Sequence, residues 1–181
     1  MIVLVLAAGQ GSRFTASGGL GHKLDALIAG KPVLDHVLHA VDAAGLESFL
    51  VRPPGGNGGM GESIAMGVQH TRGADGWLIL PGDLPLVTGR TIAAVAQALA
   101  ASPVVVPHYQ GRAGHPVGFQ RCHYRELMAL HGDRGAASIV QAARLAGRAL
   151  ELAVDDQGAV LDVDSCADLA MAQQLFQCRQ T

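Results

Sequence analysis

Three sets of residues in this chain have types and spacings that could do chemistry. The first is the run from Gly9 to Lys23, fifteen residues with five glycines, one arginine (Arg13) and one lysine. Glycines let the main chain come close to a ligand and point N–H groups at it, and the two cations neutralise negative charge, so the run suits phosphate. The second is Asp83 in Pro81-Gly82-Asp83-Leu84-Pro85, a hard oxygen ligand of the kind that binds Mg²⁺. The third is the pair Asp162 and Asp164, which alternation places on one side of an extended segment. Together they point to transfer of a nucleotidyl group. In that reading the loop would hold the β- and γ-phosphates, Arg13 and Lys23 would stabilise charge at the α-phosphate, and Mg²⁺ on Asp83 would bridge the α-phosphate and the departing pyrophosphate.

Two other phosphate loops are excluded. Lys23 lies between His22 and Leu24, and Gly30-Lys31 is followed by Pro32, so no P-loop ending in Gly-Lys-Ser/Thr is present. Gly9-Gln10-Gly11 lacks the third glycine of the dinucleotide fingerprint, where Phe14 stands.

The elements that must position these residues follow from apolar patterning. Ile2–Leu6 is a continuous apolar run, as expected of a central parallel strand, and it delivers the chain into the Gly9–Lys23 loop. Pro32 opens a helix carrying Val33, Leu34, Val37, Leu38 and Val41, ending near Gly45. Phe49–Val51 is a short strand, followed by a second glycine-rich loop, Gly55–Gly61, and a helix over Glu62–His70. Trp77–Leu80 is a strand whose C-terminal end carries Asp83, where open α/β sheets bind ligands. Thr88 caps a helix running to Ala101.

Val104–Val106 and Pro116–Phe119 are further strands, and Arg121–Leu130 and Gly135–Leu145 are helical. Ala149–Val154 and Val160–Val163 read as the last strands, with Asp155-Asp156 before Gly158 as a hairpin turn. Ser165 or Asp164 caps the closing helix, Ala167–Gln177. Strands alternating with helices predict an α/β three-layer sandwich on a Rossmann-like, mostly parallel sheet.

Composition narrows the class. The 181 residues are 49% apolar and 15% charged, which fits one domain with a sheet covered on both faces. A net charge of −2 disfavours general nucleic-acid binding. The apolar start is too short for a membrane span and lacks a signal peptide's basic region, so a cytoplasmic protein is expected. Cys122, Cys166 and Cys178 form no CxxC and read as reduced thiols. His36 and His39 stand at i and i+3 with no third ligand near in sequence and read as a helix-face pair.

Leu6-Ala-Ala-Gly-Gln-Gly-Ser-Arg13 followed by a lysine resembles the signature shared by sugar-phosphate nucleotidylyltransferases and molybdenum-cofactor nucleotidyltransferases. Five later segments are similar, in order, to molybdenum cofactor cytidylyltransferases: Gly59-Met-Gly-Glu-Ser63, Gly82-Asp-Leu-Pro-Leu-Val87, Gly114-His-Pro-Val-Gly-Phe119, Gly132-Asp-Arg-Gly135 and Asp162-Val-Asp164. The resemblance implies one nucleotidyltransferase domain over residues 1–181, in which the terminal phosphate of molybdopterin attacks the α-phosphate of CTP and pyrophosphate leaves. It implies catalytic roles for Arg13, Lys23 and Asp83, and nucleotide contacts from Leu6, Ala7, Ala8, Gly9, Gly11, Ser12, Arg13, Lys23, Gly59, Ser63 and Gly82. It places Mg²⁺ on Asp83 and Asp164, the acceptor beside His115, Asp133 and Arg134, and a client molybdoenzyme as a passing partner. For His115 alone, bracing a turn competes with ligand contact, and for Arg134 a surface or helix-start role competes.

Members that use GTP tend to carry Leu-Ala-Gly-Gly at the strand end. Here Ala8 adds a Cβ beside the base, which favours the smaller pyrimidine. Two features depart from the family: Thr15–Gly21 looks like an insertion ahead of Lys23, and the helix and strand that normally follow Phe49–Val51 are missing. The alternatives are a nucleotidyltransferase on another small phosphorylated acceptor, such as a sugar phosphate or phospholactate, and a non-catalytic accessory protein that carries finished cofactor.

Overall fold

The computed structural model describes residues 1–9, 11–53 and 59–179. In chain order the elements are β1 (Ile2–Leu6), α1 (Ser12–Ala16), β2 (Leu27–Ile28), β3 (Lys31–Pro32), α2 (Val33–Ala43), β4 (Glu47–Val51), α3 (Met60–His70) and β5 (Gly76–Pro81). There follow α4 (Gly89–Ala98), β6 (Val104–Tyr109), β7 (Arg112–Ala113), β8 (Val117–Gln120), α5 (Tyr124–Met128), α6 (Ala137–Leu145), β9 (Ala149–Ala153) and α7 (Cys166–Cys178).

The central sheet is mixed and mostly parallel. Its order is β4-β1-β5-β8-β6-β7, with β9 also on β6. β1 is parallel to β4 and β5, and β9 is parallel to β6, whereas β8 runs antiparallel between β5 and β6. β1 and β5 are buried on both faces, so their runs are apolar without a break, yet the side chains still divide by parity. Val3, Val5, Leu78 and Leu80 pack under α2, α4 and α7. Leu4, Leu6, Trp77 and Ile79 pack under α3, α5 and α6. The three layers expected from the alternation of elements are present.

Most expected elements form, with shifted ends. Thr88 caps α4, its hydroxyl accepting the Thr91 N–H, and the helix ends at Ala98 rather than Ala101. Ser165, not Asp164, caps α7, in a reciprocal box with Asp168. Arg121–Leu130 is split into a 3₁₀ turn over Arg121–His123 and the short α5. The β2–β3 hairpin and β7, two residues per strand, were too short to register as patterns.

Two expectations fail between β9 and α7. Val160–Val163 is not a strand, and Asp155-Asp156 does not turn a hairpin. Asp156 is buried and caps a 3₁₀ turn, Gln157–Val160, by accepting the Gly158 N–H. At Gly158 an added Cβ would lie 1.9 Å from the Leu86 carbonyl oxygen, so the chain runs hard against the loop after β5. In place of a ladder, the Val163 N–H donates to the Asp83 carbonyl at 2.9 Å. The segment therefore crosses the C-terminal edge of the sheet and forms a wall there.

Candidate active site

A cleft of about 700 Å³ opens at that edge. β1 delivers Leu6, Ala8 and Gly9 to it, β5 delivers Pro81, Asp83 and Leu84, and the crossing segment delivers Asp162 and Asp164. The N-terminus of α3 adds Gly59, Met60 and Ser63, and the stretch before β8 adds Gly114 and His115.

Lys23 is the centre of the site. Its ammonium lies 2.6 Å from Asp83 Oδ2 and 2.5 Å from Asp164 Oδ1, and its side chain is only 10% exposed. Asp164 also takes Arg13 Nη1 on its other oxygen, at 2.9 Å. Burial by itself lowers the Lys23 pKa, but the attraction of Asp83 and the hydrogen bonds to both carboxylates outweigh it and hold the ammonium above the ordinary lysine value. The Lys23 hydrogen bond, with help from Arg13, holds Asp164 below the ordinary carboxylate value. An ammonium has three N–H donors, so two carboxylates leave one for a phosphate oxygen.

The path that brings Lys23 here runs through Thr15–Gly21. The residues that looked like an insertion fold back locally. Phe14 is buried, and a Cβ on Gly19 would lie 2.2 Å from its ring, so the turn after α1 is packed onto that ring. Gly11 opens α1 with φ +66, a left-handed conformation that glycine adopts without strain. Ser17 Oγ donates to the Phe14 carbonyl and accepts the Cys166 N–H, tying the loop to the start of α7.

His22 is a residue that motif reasoning passed over. Its Nδ1 accepts the Leu24 N–H, which leaves Nε2 protonated to donate to the Gly9 carbonyl at 2.6 Å. One imidazole thus fixes both ends of the loop. A histidine beside the lysine was the available sequence signal.

The structure gathers most of the expected residues and leaves some aside. Leu6, Ala8, Gly9, Lys23, Gly59, Ser63, Asp83, His115, Asp133 and Asp164 all line the cleft. Arg13 is 82% exposed, lies on Asp164 and is not part of the lining. Ala7, Gly11, Ser12 and Gly82 are also outside the lining. Ala7 and Gly82 instead brace the strand ends, donating to the Val51 and Leu6 carbonyls. Ser63 is fully buried, and its hydroxyl donates to the Gly59 carbonyl within α3. Arg134 lies on a neighbouring cavity. Gln10 of the first loop and Pro54–Gly58, which include most of the second glycine-rich loop, lie outside the described residues.

His115 is half-buried in the cleft wall, and burial holds its pKa below the ordinary histidine value. Glu62 joins the two sides of the mouth, accepting the Gly132 N–H at 2.7 Å. A Cβ on Gly59 would lie 2.5 Å from the Gly132 backbone, so the start of α3 and the Gly132–Arg134 turn are in direct contact.

The donor set fits a divalent cation. Asp83 and Asp164 converge on one point, which in this structure is taken by the positive Lys23 Nζ. Asp83 Oδ1 is buried with no hydrogen-bond partner. Among the described residues no group of three or more His, Cys, Asp or Glu side chains is placed to hold a metal. A metal on these two carboxylates therefore depends on ligand and water oxygens for the rest of its shell, the usual arrangement for Mg²⁺ at phosphates. No described helix is long and apolar enough to cross a membrane.

Residues 48–149 match the model of the MobA-like NTP transferase domain. This chain belongs to that family. Its fold is shared with Rv0371c from Mycobacterium tuberculosis H37Rv, at 24% identity over 96% of both chains and a TM-score of 0.79. A manganese complex of Rv0371c superposes with a TM-score of 0.72, at 25% identity over 96% of this chain and 97% of the other. Mth528, a nucleotidyl transferase from Methanothermobacter thermautotroptrophicus, covers 99% of this chain and 98% of its own at 20% identity, with a TM-score of 0.84. A search of curated proteins gives no significant match.

Proposed function

We propose that this NTP transferase moves CMP from CTP to the terminal phosphate of molybdopterin and releases pyrophosphate. The observation that carries the reading is the set Lys23, Asp83 and Asp164, brought together from three distant parts of the chain at the mouth of a nucleotide-sized cleft. A phosphate oxygen of the acceptor attacks the α-phosphorus of CTP, the bond to the bridging oxygen of the β-phosphate breaks, and pyrophosphate takes the electron pair. The residues act by position and charge, with no covalent enzyme intermediate.

Lys23 gives its third donor to phosphate and stabilises the charge that grows on the leaving group. Main-chain groups of the Gly9 loop, braced by His22, hold the triphosphate. Asp83 and Asp164 would hold Mg²⁺, which when bound neutralises charge on the α-phosphate and the leaving pyrophosphate. Arg13, exposed at the mouth, stands where it can exchange Asp164 for an entering phosphate. Ala8 in the cleft lining supports a pyrimidine base by the space its Cβ takes. His115 and Asp133, which line the same cleft, take the acceptor in this reading.

The test is incubation with each labelled NTP, Mg²⁺ and molybdopterin, following pyrophosphate. The reading expects CTP to be consumed in step with acceptor. Pyrophosphate release with another phosphorylated acceptor but not with molybdopterin would overturn the acceptor. Tight CTP binding without pyrophosphate under any condition would favour an accessory binding protein.

A further inference from the structure

His22 makes two hydrogen bonds that require one protonation state of its ring. It caps the 3₁₀ turn Lys23–Asp25, its Nδ1 accepting the Leu24 N–H at 3.2 Å. Its Nε2 lies 2.6 Å from the carbonyl oxygen of Gly9, thirteen residues back. Leu24 is buried in the core, so that end of the brace is fixed, whereas Gly9 is exposed and lines the cleft. Lys23 runs between the two ends. A Cβ on Gly9 would lie 3.9 Å from Lys23 Cε, and one on Gly11 would lie 3.5 Å from the Lys23 backbone nitrogen. The ring therefore sets how the loop lies over Lys23. A carbonyl oxygen repels phosphate, and a glycine peptide turns easily. By occupying the Gly9 oxygen, the Nε2–H keeps it from competing with the groups that attract an anion.

We propose that His22 is a positioning residue that sets the grip of the Gly9–Lys23 loop on phosphate, and that it does so only while its ring is neutral, so that acid loosens the loop. The proposal rests on the nucleotidyl-transfer reading and adds to it a proton dependence carried by this one ring. An acceptor at Nδ1 and a donor at Nε2 coexist only in the neutral Nε2–H tautomer. A second proton sets an N–H at Nδ1 against the Leu24 N–H, so the cap is lost and the ring is released from its fixed end. The charges on the elements that meet here are Arg13 on α1, Lys23 and Asp25 on the turn, and Asp83 and Asp164, which Lys23 bridges. No ion pair among the described residues includes His22. Asp164 is held below the ordinary carboxylate value and Lys23 above the ordinary lysine value. Neither changes charge between about pH 8 and about pH 5, the span over which imidazoles do.

The experiment is calorimetric titration of the full chain with CTP and Mg²⁺, and with inorganic tripolyphosphate and Mg²⁺ as a probe without a base, in steps from about pH 8 to about pH 5. Wild type is compared with His22→Asn and His22→Ala. An asparagine oxygen accepts the N–H two residues on, so His22→Asn keeps the Leu24 bond, gives up the Gly9 bond and cannot titrate. At about pH 8 it should bind both probes about threefold to tenfold more weakly than wild type, the scale of one neutral hydrogen bond, and His22→Ala more weakly still. Toward about pH 5 the wild type should lose its advantage over His22→Asn. The terminal phosphate of the probe also takes up a proton in this span, but that is common to all three proteins and cancels in their ratios. Ratios that stay constant with pH would overturn the proton dependence, and equal affinities at about pH 8 would overturn the positioning role. Nitrogen NMR of the unliganded wild type reads the tautomer directly, and His22 protonated at Nδ1 alone near pH 8 would overturn the proposal without any ligand. Failure of the wild type to bind either probe at any pH, with the ring in its Nε2–H form, would instead overturn the nucleotidyl-transfer reading.

Discussion

At the scale of single residues, the site rests on one ammonium between two carboxylates. Asp83→Asn keeps the shape of the side chain but removes its charge and weakens it as a ligand for a hard cation. A folded Asp83→Asn protein should lose most pyrophosphate release, and near-normal turnover would sink the metal assignment. In the proposed reaction Lys23 stabilises the leaving pyrophosphate, so Lys23→Ala should lower kcat on the order of 10²–10³. CTP affinity should fall less, because the loop main chain still holds the ground state. A normal kcat with only a raised KM would make Lys23 a binding residue. The same cluster has a pH signature. Asp164 is depressed in the fold, so its stabilisation is present above the unfolded aspartate value, about 3.9, and fades as pH falls through the lower folded value. Lys23 is raised, so its share is complete below the unfolded lysine value, about 10.4, and fades as pH climbs through the higher folded value. In Lys23→Met the two carboxylates lose the ammonium they share and keep only the exposed Arg13 on Asp164, and acid relieves their repulsion. The gap in Tm between wild type and Lys23→Met should therefore narrow below about pH 4; a gap that stays constant from neutral pH to there would show that the cluster contributes nothing through charge.

At the scale of elements, the segment between β9 and α7 decides where Asp164 stands, and it is the part of the chain that pattern reading assigned wrongly. Its anchor is Asp156. One of its carboxylate oxygens accepts the Thr88 N–H at 2.9 Å and the hydroxyls of Thr88 and Thr91 at 2.8 and 2.7 Å, and the other accepts the Gly158 N–H and faces Arg179. This joins the start of α4, the crossing segment and the end of α7. Asp156→Ala would leave several buried donors without a partner, and stability should fall by about 3 kcal/mol or more, the scale for breaking a buried ionic network. Urea unfolding checks it, and a loss under about 1 kcal/mol would mean that water replaces the carboxylate. From sequence, Asp155-Asp156 before Gly158 has the composition of any hairpin turn. Only the tertiary approach to Leu86 and Thr88 distinguishes the two, and such contacts leave no periodic trace. The long elements were legible because burial imposes a period: β1 and β5 as unbroken apolar runs, and α2 as apolar residues at helical spacing.

At the scale of the whole molecule, the cleft draws on residues from 6 to 164, so anything that binds in it ties together the start of the chain, the middle and the approach to α7. The glycine-rich loop, the aspartate after a strand and the late Asp-x-Asp could be read from the chain because each has a local composition. The His22 brace, the Glu62 link to Gly132 and the neighbouring cavity could not, since each joins residues whose meeting depends on the fold. The same geometry makes thermal stability a direct readout of nucleotide choice. On the proposed function CTP with Mg²⁺ binds the folded chain and not the unfolded one, so at about 100 times its Kd it should add about 2.7 kcal/mol to the unfolding free energy. For a chain of this length that corresponds to a rise in Tm of roughly 5–11 °C. GTP at the same concentration should give a smaller rise on the proposed reading, which sets the base against the Ala8 Cβ in the cleft lining. Chelating the metal should remove most of both shifts. A larger rise with GTP would show that Ala8 does not set the base, and shifts that survive chelation would show that Lys23 and the loop hold the triphosphate without help from a cation on Asp83 and Asp164.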